Sequence, residues 1–205
     1  MDDPVTASTE TERKYDVPED APIPELGALA AAVRQDRFTL RATYFDTPDG
    51  ALGRSRMTLR RREGGHDAGW HLKTPGDDGR TEHHAPLADT LPSALHALVA
   101  ELLGGQDLRE VAQLVTERAT TILLDDAGAG LAEIADDRVT ATDLNTGTVR
   151  SWREWEAELM DAAPSDRQAR AALLDSIEAE LLAAGAVPSG SESKLARALG
   201  RSSLQ

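Results

Sequence analysis

Polar alternation opens the chain. In Glu10-Thr-Glu12-Arg-Lys14 two carboxylates and an ammonium fall at every second position. A strand, with its period of two, aims all three at one face. This predicts a first strand over residues 8–17, closed by the segment Pro18 to Pro24, whose prolines cannot continue a ladder. Glu25 to Arg34 is Ala-rich and predicts a short helix. Asp36 to Thr47 reads as a strand with Phe38, Leu40, Ala42 and Tyr44 on one side, and Pro48-Asp49-Gly50 supplies a turn. Three short strands follow, roughly Met57–Glu63, Gly69–Pro75 and Arg80–Leu87, separated by Gly64-Gly65 and by Gly76-Asp77-Asp78-Gly79.

Leu95, Leu98, Val99 and Leu102 make a helical stripe within Pro92 to Leu103. Val111–Asp125 and Leu131–Thr142 are predicted strands about Gly128 and Gly130, and Asn145-Thr146-Gly147 leads into another over Thr148–Met160. The longest helix is expected over Asp166–Ala184, capped by Ser165 and ended by Gly185, with a last short helix over Ser191–Leu199. The expectation is an α+β fold: an eight-stranded antiparallel closed β-barrel with surrounding helices, which removes sheet edges and encloses a lumen. It would occupy residues 8–200 as one domain, between a disordered segment 1–7 and a tail 201–205.

The charged positions keep the same parity on strand after strand. Arg60 pairs in parity with Arg62, Arg80 with Glu82, and Glu133 with Asp137, while Lys73 and Arg118 lie within strands of their own. Glu154, Glu156 and Glu158 alternate with Trp155, Ala157 and Leu159. Any one of these patterns alone describes a solvated sheet face. Together they imply the reverse, because the apolar residues of opposite parity must pack outward on helices, which turns the charges inward. Desolvated ions are costly unless opposite charges, water or a bound polyanion with metal ions offset the penalty. The glutamates offer the hard oxygen ligands that Mg2+ or Mn2+ prefers. The Arg and Lys set offers partners for phosphate oxygens.

Composition narrows the classes. The 205 residues carry a net charge of −14, which argues against nucleic acid or an anionic membrane as partner. There is no cysteine, so disulfides and thiolate metal sites are excluded. No apolar run is long enough for a membrane span and no signal segment is visible, so a cytoplasmic location is expected. Only three lysines stand against 19 arginines, and all three, Lys14, Lys73 and Lys194, fall in charged segments of interest. His83 and His84 are adjacent and face opposite sides of a strand, which suits surface residues, and His66, His71 and His96 suggest no zinc site. The glycine pairs lack a following Lys-Ser/Thr and are read as turns, not as a phosphate loop.

In order, Glu10-x-Glu12-x-Lys14, Tyr44-Phe-Asp-Thr47, Leu59-Arg-Arg-Arg62, Trp70-His-Leu-Lys-Thr-Pro75, Arg80-x-Glu82, Thr116-x-Arg118, Ala132-Glu-Ile-Ala-Asp-Asp137, Trp155-Glu-Ala-Glu-Leu159 and Ser193-Lys-Leu-Ala-Arg-Ala-Leu199 build a pattern from Glu10 to Leu199. This pattern resembles the CYTH family, also called triphosphate tunnel metalloenzymes. The resemblance implies an eight-stranded antiparallel tunnel that binds a triphosphate or polyphosphate with Mg2+ or Mn2+. It implies a catalytic set of Glu10, Glu12, Lys14, Arg60, Arg62, Lys73, Arg118, Glu156 and Glu158. Phosphates would rest on Lys14, Arg60, Arg62, Lys73, Arg118 and Lys194, with Arg80 nearer the rim, and the metal on Glu10, Glu12, Glu156 and Glu158. Glu82, Glu133 and Asp137 would orient the cations, Glu154 is placed near the rim, and Arg197 is expected to face solvent. The implied activity is hydrolysis of the terminal phosphoanhydride of inorganic triphosphate or a related triphosphate. The alternatives are a non-catalytic polyphosphate or nucleotide-binding module, a class IV-type adenylate cyclase, and thiamine triphosphate hydrolysis. The last motif also resembles the junction to a C-terminal, histidine-rich CHAD domain in longer bacterial proteins, and a monomer or homodimer is expected.

Overall fold

The computed structural model describes residues 5–76, 79–191 and 193–201. In chain order come β1 (Thr6–Glu10), β2 (Glu12–Asp16), a 3-10 turn at Gly27–Leu29, β3 (Ala32–Asp46), α1 (Ala51–Arg54), β4 (Thr58–Glu63), β5 (Gly69–Gly76) and β6 (Gly79–Pro86). There follow α2 (Ser93–Leu103), β7 (Arg109–Leu124), β8 (Gly130–Asp143), β9 (Val149–Leu159), α3 (Arg167–Ala183), β10 (Val187–Pro188) and α4 (Lys194–Ala198). The strands form one antiparallel sheet in the order β1-β6-β5-β4-β3-β7-β8-β9-β2-β10.

The expected first strand is divided. β1 pairs with β6 and β2 with β9, with Thr11 alone between them in sequence. One stretch of chain therefore serves the strand at one end of the order, β1, and the strand next to the other end, β2, beyond which lies only the two-residue β10. Hydrogen bonding runs in an open order of ten strands, so the expected closed eight-stranded barrel is corrected to an open sheet in which the chain at Thr11 links β1 to β2. The first strand starts at Thr6, inside the stretch expected to be disordered. Residues 1–4, the Asp77-Asp78 turn and residues 202–205 lie outside the described residues.

The helix expected over Glu25–Arg34 does not form. Gly27–Leu29 makes a single 3-10 turn, and Ala32, Val33 and Arg34 pair with Leu124, Leu123 and Ile122. Alanine propensity is a weak prior, and the backbone groups of the 16-residue β7 need a partner strand along their length. The cap of α3 is also Asp166 and not Ser165: its carboxylate accepts from the Ala169 amide at 2.8 Å.

The apolar parity faces out, as the sequence implied for β9. Trp155 and Ala157 are fully buried with Tyr15, Leu123, Ile134 and the Leu174, Ile177 and Leu181 stripe of α3. A second cluster packs Leu59, Trp70 and Leu72 against Leu95, Val99 and Leu103 of α2. A third differs in kind. Leu114, Val139 and Ala141 share the parity of Arg118 and Asp137, yet they pack with Leu195 and Ala198 of α4. The inward face is thus ionic in part and apolar where α4 docks.

Candidate active site

A cavity of about 340 Å3 lies on the charged face of the sheet. Glu10, Glu12 and Lys14 reach it from β1 and β2, Arg60 and Arg62 from β4, and Lys73 from β5. Arg80 and Glu82 enter from β6, Arg118 from β7, Glu133 from β8, Glu156 and Glu158 from β9, and Lys194 from α4. Of the expected set only Asp137 does not line it; that residue has no solvent exposure and lies against Arg118 and Lys194. A second hollow, about 360 Å3, is bordered by Asp46, Arg109 and Arg201 and holds none of the expected residues.

Register explains the convergence. Across β2, β9 and β8 the directly opposed residues are Glu12, Glu158 and Glu133 in one row, and Asp16, Glu154 and Asp137 in another. Lys14 stands opposite Glu156 between those rows, Glu10 stands opposite Arg80, and Lys73 opposite Glu82. Opposed side chains on one face lie close enough to interact directly.

One group of charges is internally neutralised. The Lys194 ammonium forms ion pairs with Asp137 at 2.9 Å, Glu154 at 2.6 Å and Glu156 at 2.8 Å. Those three carboxylates lie close enough together to hold a metal ion, but the ammonium of Lys194 contacts all three. Arg118 makes a bidentate pair with Asp137 at 2.7 and 2.6 Å and reaches Glu156 at 3.0 Å. Lys14 bonds Glu12 at 2.8 Å and also pairs with Glu156. Burial pushes the Glu156 carboxyl up, but Lys14, Lys194 and Arg118 more than reverse it and hold the group well below the usual range. Glu156, expected among the metal ligands, thus has both oxygens engaged by cations. Glu154 is buried here and not at a rim, and Arg197 is drawn in toward Asp16, Glu154 and the Trp152 ring instead of pointing to solvent.

The second group is short of positive charge. Glu158 has no ion-pair partner among the described residues. Burial first, then its neighbours Glu10, Glu12 and Glu156, push its carboxyl up to about 7 despite Lys73. Burial also raises Glu10, although Lys73 stands 2.6 Å from it. Burial acts the same way on Glu12, but Lys14 and Lys73 outweigh it and lower that group. Like charges gathered under desolvation are the arrangement a divalent cation relieves. Glu10, Glu12 and Glu158 therefore fit a hard, oxygen-ligated metal.

The third group is short of acceptors. The Nε atoms of Arg60 and Arg62 are buried and make no hydrogen bond. Arg60 is 3.5 Å from both the Tyr44 hydroxyl and Glu82 Oε1, and burial with neighbouring Arg60 and Arg118 pushes Arg62 down to about 9, still charged at neutral pH. Two residues here escaped the sequence reading. His71, 1% exposed, lies between Glu82 Oε1 at 3.1 Å and the Asp67 carbonyl at 2.9 Å. Its ring also packs on His84, which is half-buried and not at the surface. Asp67 pairs through its side chain with Arg62. His71 shares the parity of Lys73 on β5, which was a signal for it; Asp67 sits in a loop, where alternation carries no information.

A CYTH domain family model matches residues 8–185. Uncharacterized proteins of two Mycobacterium tuberculosis strains are 43% identical over 211 residues, covering 95% of this chain and 40% of each relative, so this chain spans well under half of their length. Human thiamine-triphosphatase is 39% identical over 98 residues, 40% of this chain and 41% of that protein. A crystal structure of a candidate adenylate cyclase from Bacillus halodurans superposes with a TM-score of 0.65 at 20% identity, covering 93% of this chain and 97% of that one; it shares the fold. Among the described residues no helix is long and apolar enough to cross a membrane.

Proposed function

Because this chain belongs to the CYTH domain family, we propose that it is a divalent-metal-dependent hydrolase that releases the terminal phosphate of inorganic triphosphate or a related triphosphate. The observation that carries this is a single cavity holding both halves of the chemistry: three crowded glutamates of which Glu158 has no ion-pair partner among the described residues, and two buried arginines whose Nε atoms make no hydrogen bond. Partial similarity to human thiamine-triphosphatase supports the reaction class.

Phosphoryl transfer asks a protein mainly for alignment and charge stabilisation. Arg60 and Arg62 can turn their guanidinium groups to the equatorial oxygens of the phosphoryl group as the anhydride bond breaks. Lys73, between the arginine and glutamate groups, can hold a bridging or non-bridging oxygen. Arg118, Lys14 and Lys194 line the adjoining wall, where they would have to exchange part of their carboxylate contacts for oxygens of the rest of the phosphate chain. A Mg2+ or Mn2+ ion held by Glu10, Glu12 and Glu158 would supply Lewis-acid stabilisation of phosphate charge. Glu133 and Asp137 support Arg118 from behind, and Glu82 does so for Arg60.

A phosphate-binding module without turnover is favoured by one observation, the full engagement of Glu156 by cations, which leaves fewer metal ligands than expected. The deciding experiment is a panel of tripolyphosphate, ATP, thiamine triphosphate and long-chain polyphosphate assayed with Mg2+ or Mn2+. Orthophosphate release supports hydrolysis, binding without release supports the module, and pyrophosphate release from ATP supports a cyclase.

A further inference from the structure

His71 is flanked by two oxygens, and each of those oxygens also faces an arginine. Glu82 Oε1 is 3.1 Å from His71 Nδ1 and 3.5 Å from Arg60 Nη2. The Asp67 carbonyl oxygen is 2.9 Å from His71 Nε2 and 3.4 Å from Arg62 Nη2. The imidazole itself is almost fully enclosed, so it is placed to hold these oxygens and not to meet a substrate.

Resting on the reading above, we propose that His71 is a positioning residue for the two arginines of β4: through Glu82 it holds Arg60, and through the Asp67 backbone it holds the loop that faces Arg62. The local chain supports this division. After Arg62 the turn passes through Gly64 at φ 82°, where a Cβ would come within 2.3 Å of the Thr39 carbonyl. The backbone at Gly64 is thereby constrained, and His71 fixes the loop again from the far side at Asp67. Both flanking oxygens are acceptors, so the neutral imidazole, the form that burial favours, donates its one N–H to one of them and meets the other by contact alone, whereas an imidazolium would donate to both. Arg60 and Arg62 differ by one turn of the pleat and share a face, so one imidazole can set the spacing between two guanidinium groups.

The consequence is a coupling that simple packing does not produce. His71→Phe keeps a ring in the enclosed site and removes both contacts, whereas His71→Gln keeps an amide N–H that can donate to these acceptor oxygens. Tripolyphosphate KM, and its Kd measured by calorimetry, should rise about tenfold in His71→Phe, with a smaller change in kcat and substantial rescue in His71→Gln. In an Arg60→Ala, Arg62→Ala background the same His71 change should cost little further affinity, because its route to the ligand is gone. If His71→Phe does not fold, His71→Leu, which also removes both contacts, combined with Arg60→Ala supplies the same cycle. Wild-type affinity in His71→Phe (or His71→Leu), or losses that add fully with the arginine losses, overturns the proposal while wild-type binding stands. Wild-type protein that does not bind tripolyphosphate instead overturns the functional reading, and this inference with it.

Discussion

The Lys194 ammonium lies 2.9 Å from a carboxylate oxygen of Asp137, a side chain with no solvent exposure. The pair joins α4 to the centre of the sheet, because Lys194 is the first residue of that helix and Asp137 belongs to β8. Burial opposes charge on Lys194, yet Asp137, Glu156 and Glu154 together hold it well above its ordinary value. Lys194→Ala should leave three buried carboxylates without their shared counter-ion and cost about 3–5 kcal/mol. Chemical denaturation at pH 7 measures this. The loss should shrink at pH 5, where the orphaned carboxyls can take up protons.

Glu158 sets a pH dependence of the opposite kind. Its carboxyl is pushed up to about 7, so the folded state keeps a proton that the unfolded chain releases nearer the usual glutamate value. Stability from this group therefore falls as pH rises from the ordinary glutamate range through about 7. Glu158→Gln should raise the melting temperature of the metal-free protein at pH 8, and that gain should disappear near pH 5. Melting curves at the two pH values check the sign.

Metal and carboxylates should depend on each other. Adding Mn2+ at pH 8 is expected to raise the wild-type melting temperature, and a chelator to reverse it. Glu12→Gln should abolish that shift and reduce metal-dependent phosphate release at least about a hundredfold, while circular dichroism stays unchanged. An undiminished shift in that variant removes Glu12 from the metal set.

The outward face should behave as structure alone. Leu181, fully buried in the cluster under α3, is on the side of the sheet away from the cavity. Leu181→Ala should cost about 2–5 kcal/mol in stability while kcat and KM per folded molecule remain at wild-type values. Steady-state kinetics well below the melting point tests this.

Much of the site was legible because strands index side chains by parity. Once Trp155 and Ala157 had to face a helix, Glu154, Glu156 and Glu158 had to face the other way, and the same logic carried Arg60, Arg62 and Arg118 inward. Parity says nothing about which charges meet. That Lys194 would sit among Asp137, Glu154 and Glu156, and leave Glu158 alone, depends on the register of β2, β9 and β8 and on how α4 docks. The break at Thr11 was hidden too, since residues 8–17 alternate without interruption and only the choice of partner, β6 or β9, divides them. Ala30 to Arg34 misled because local propensity favoured a helix where the long edge of β7 required a strand.

The central claim is that one cavity binds a triphosphate together with a divalent metal. Crystals of the protein soaked with Mn2+ and a non-hydrolysable tripolyphosphate analogue, with anomalous scattering recorded for manganese, test it most directly. The account predicts an anomalous peak within ligand distance of Glu10, Glu12 and Glu158, and phosphate density against Arg60 and Arg62. Manganese bound elsewhere, or an analogue that leaves this cavity empty at saturating concentration, would contradict it.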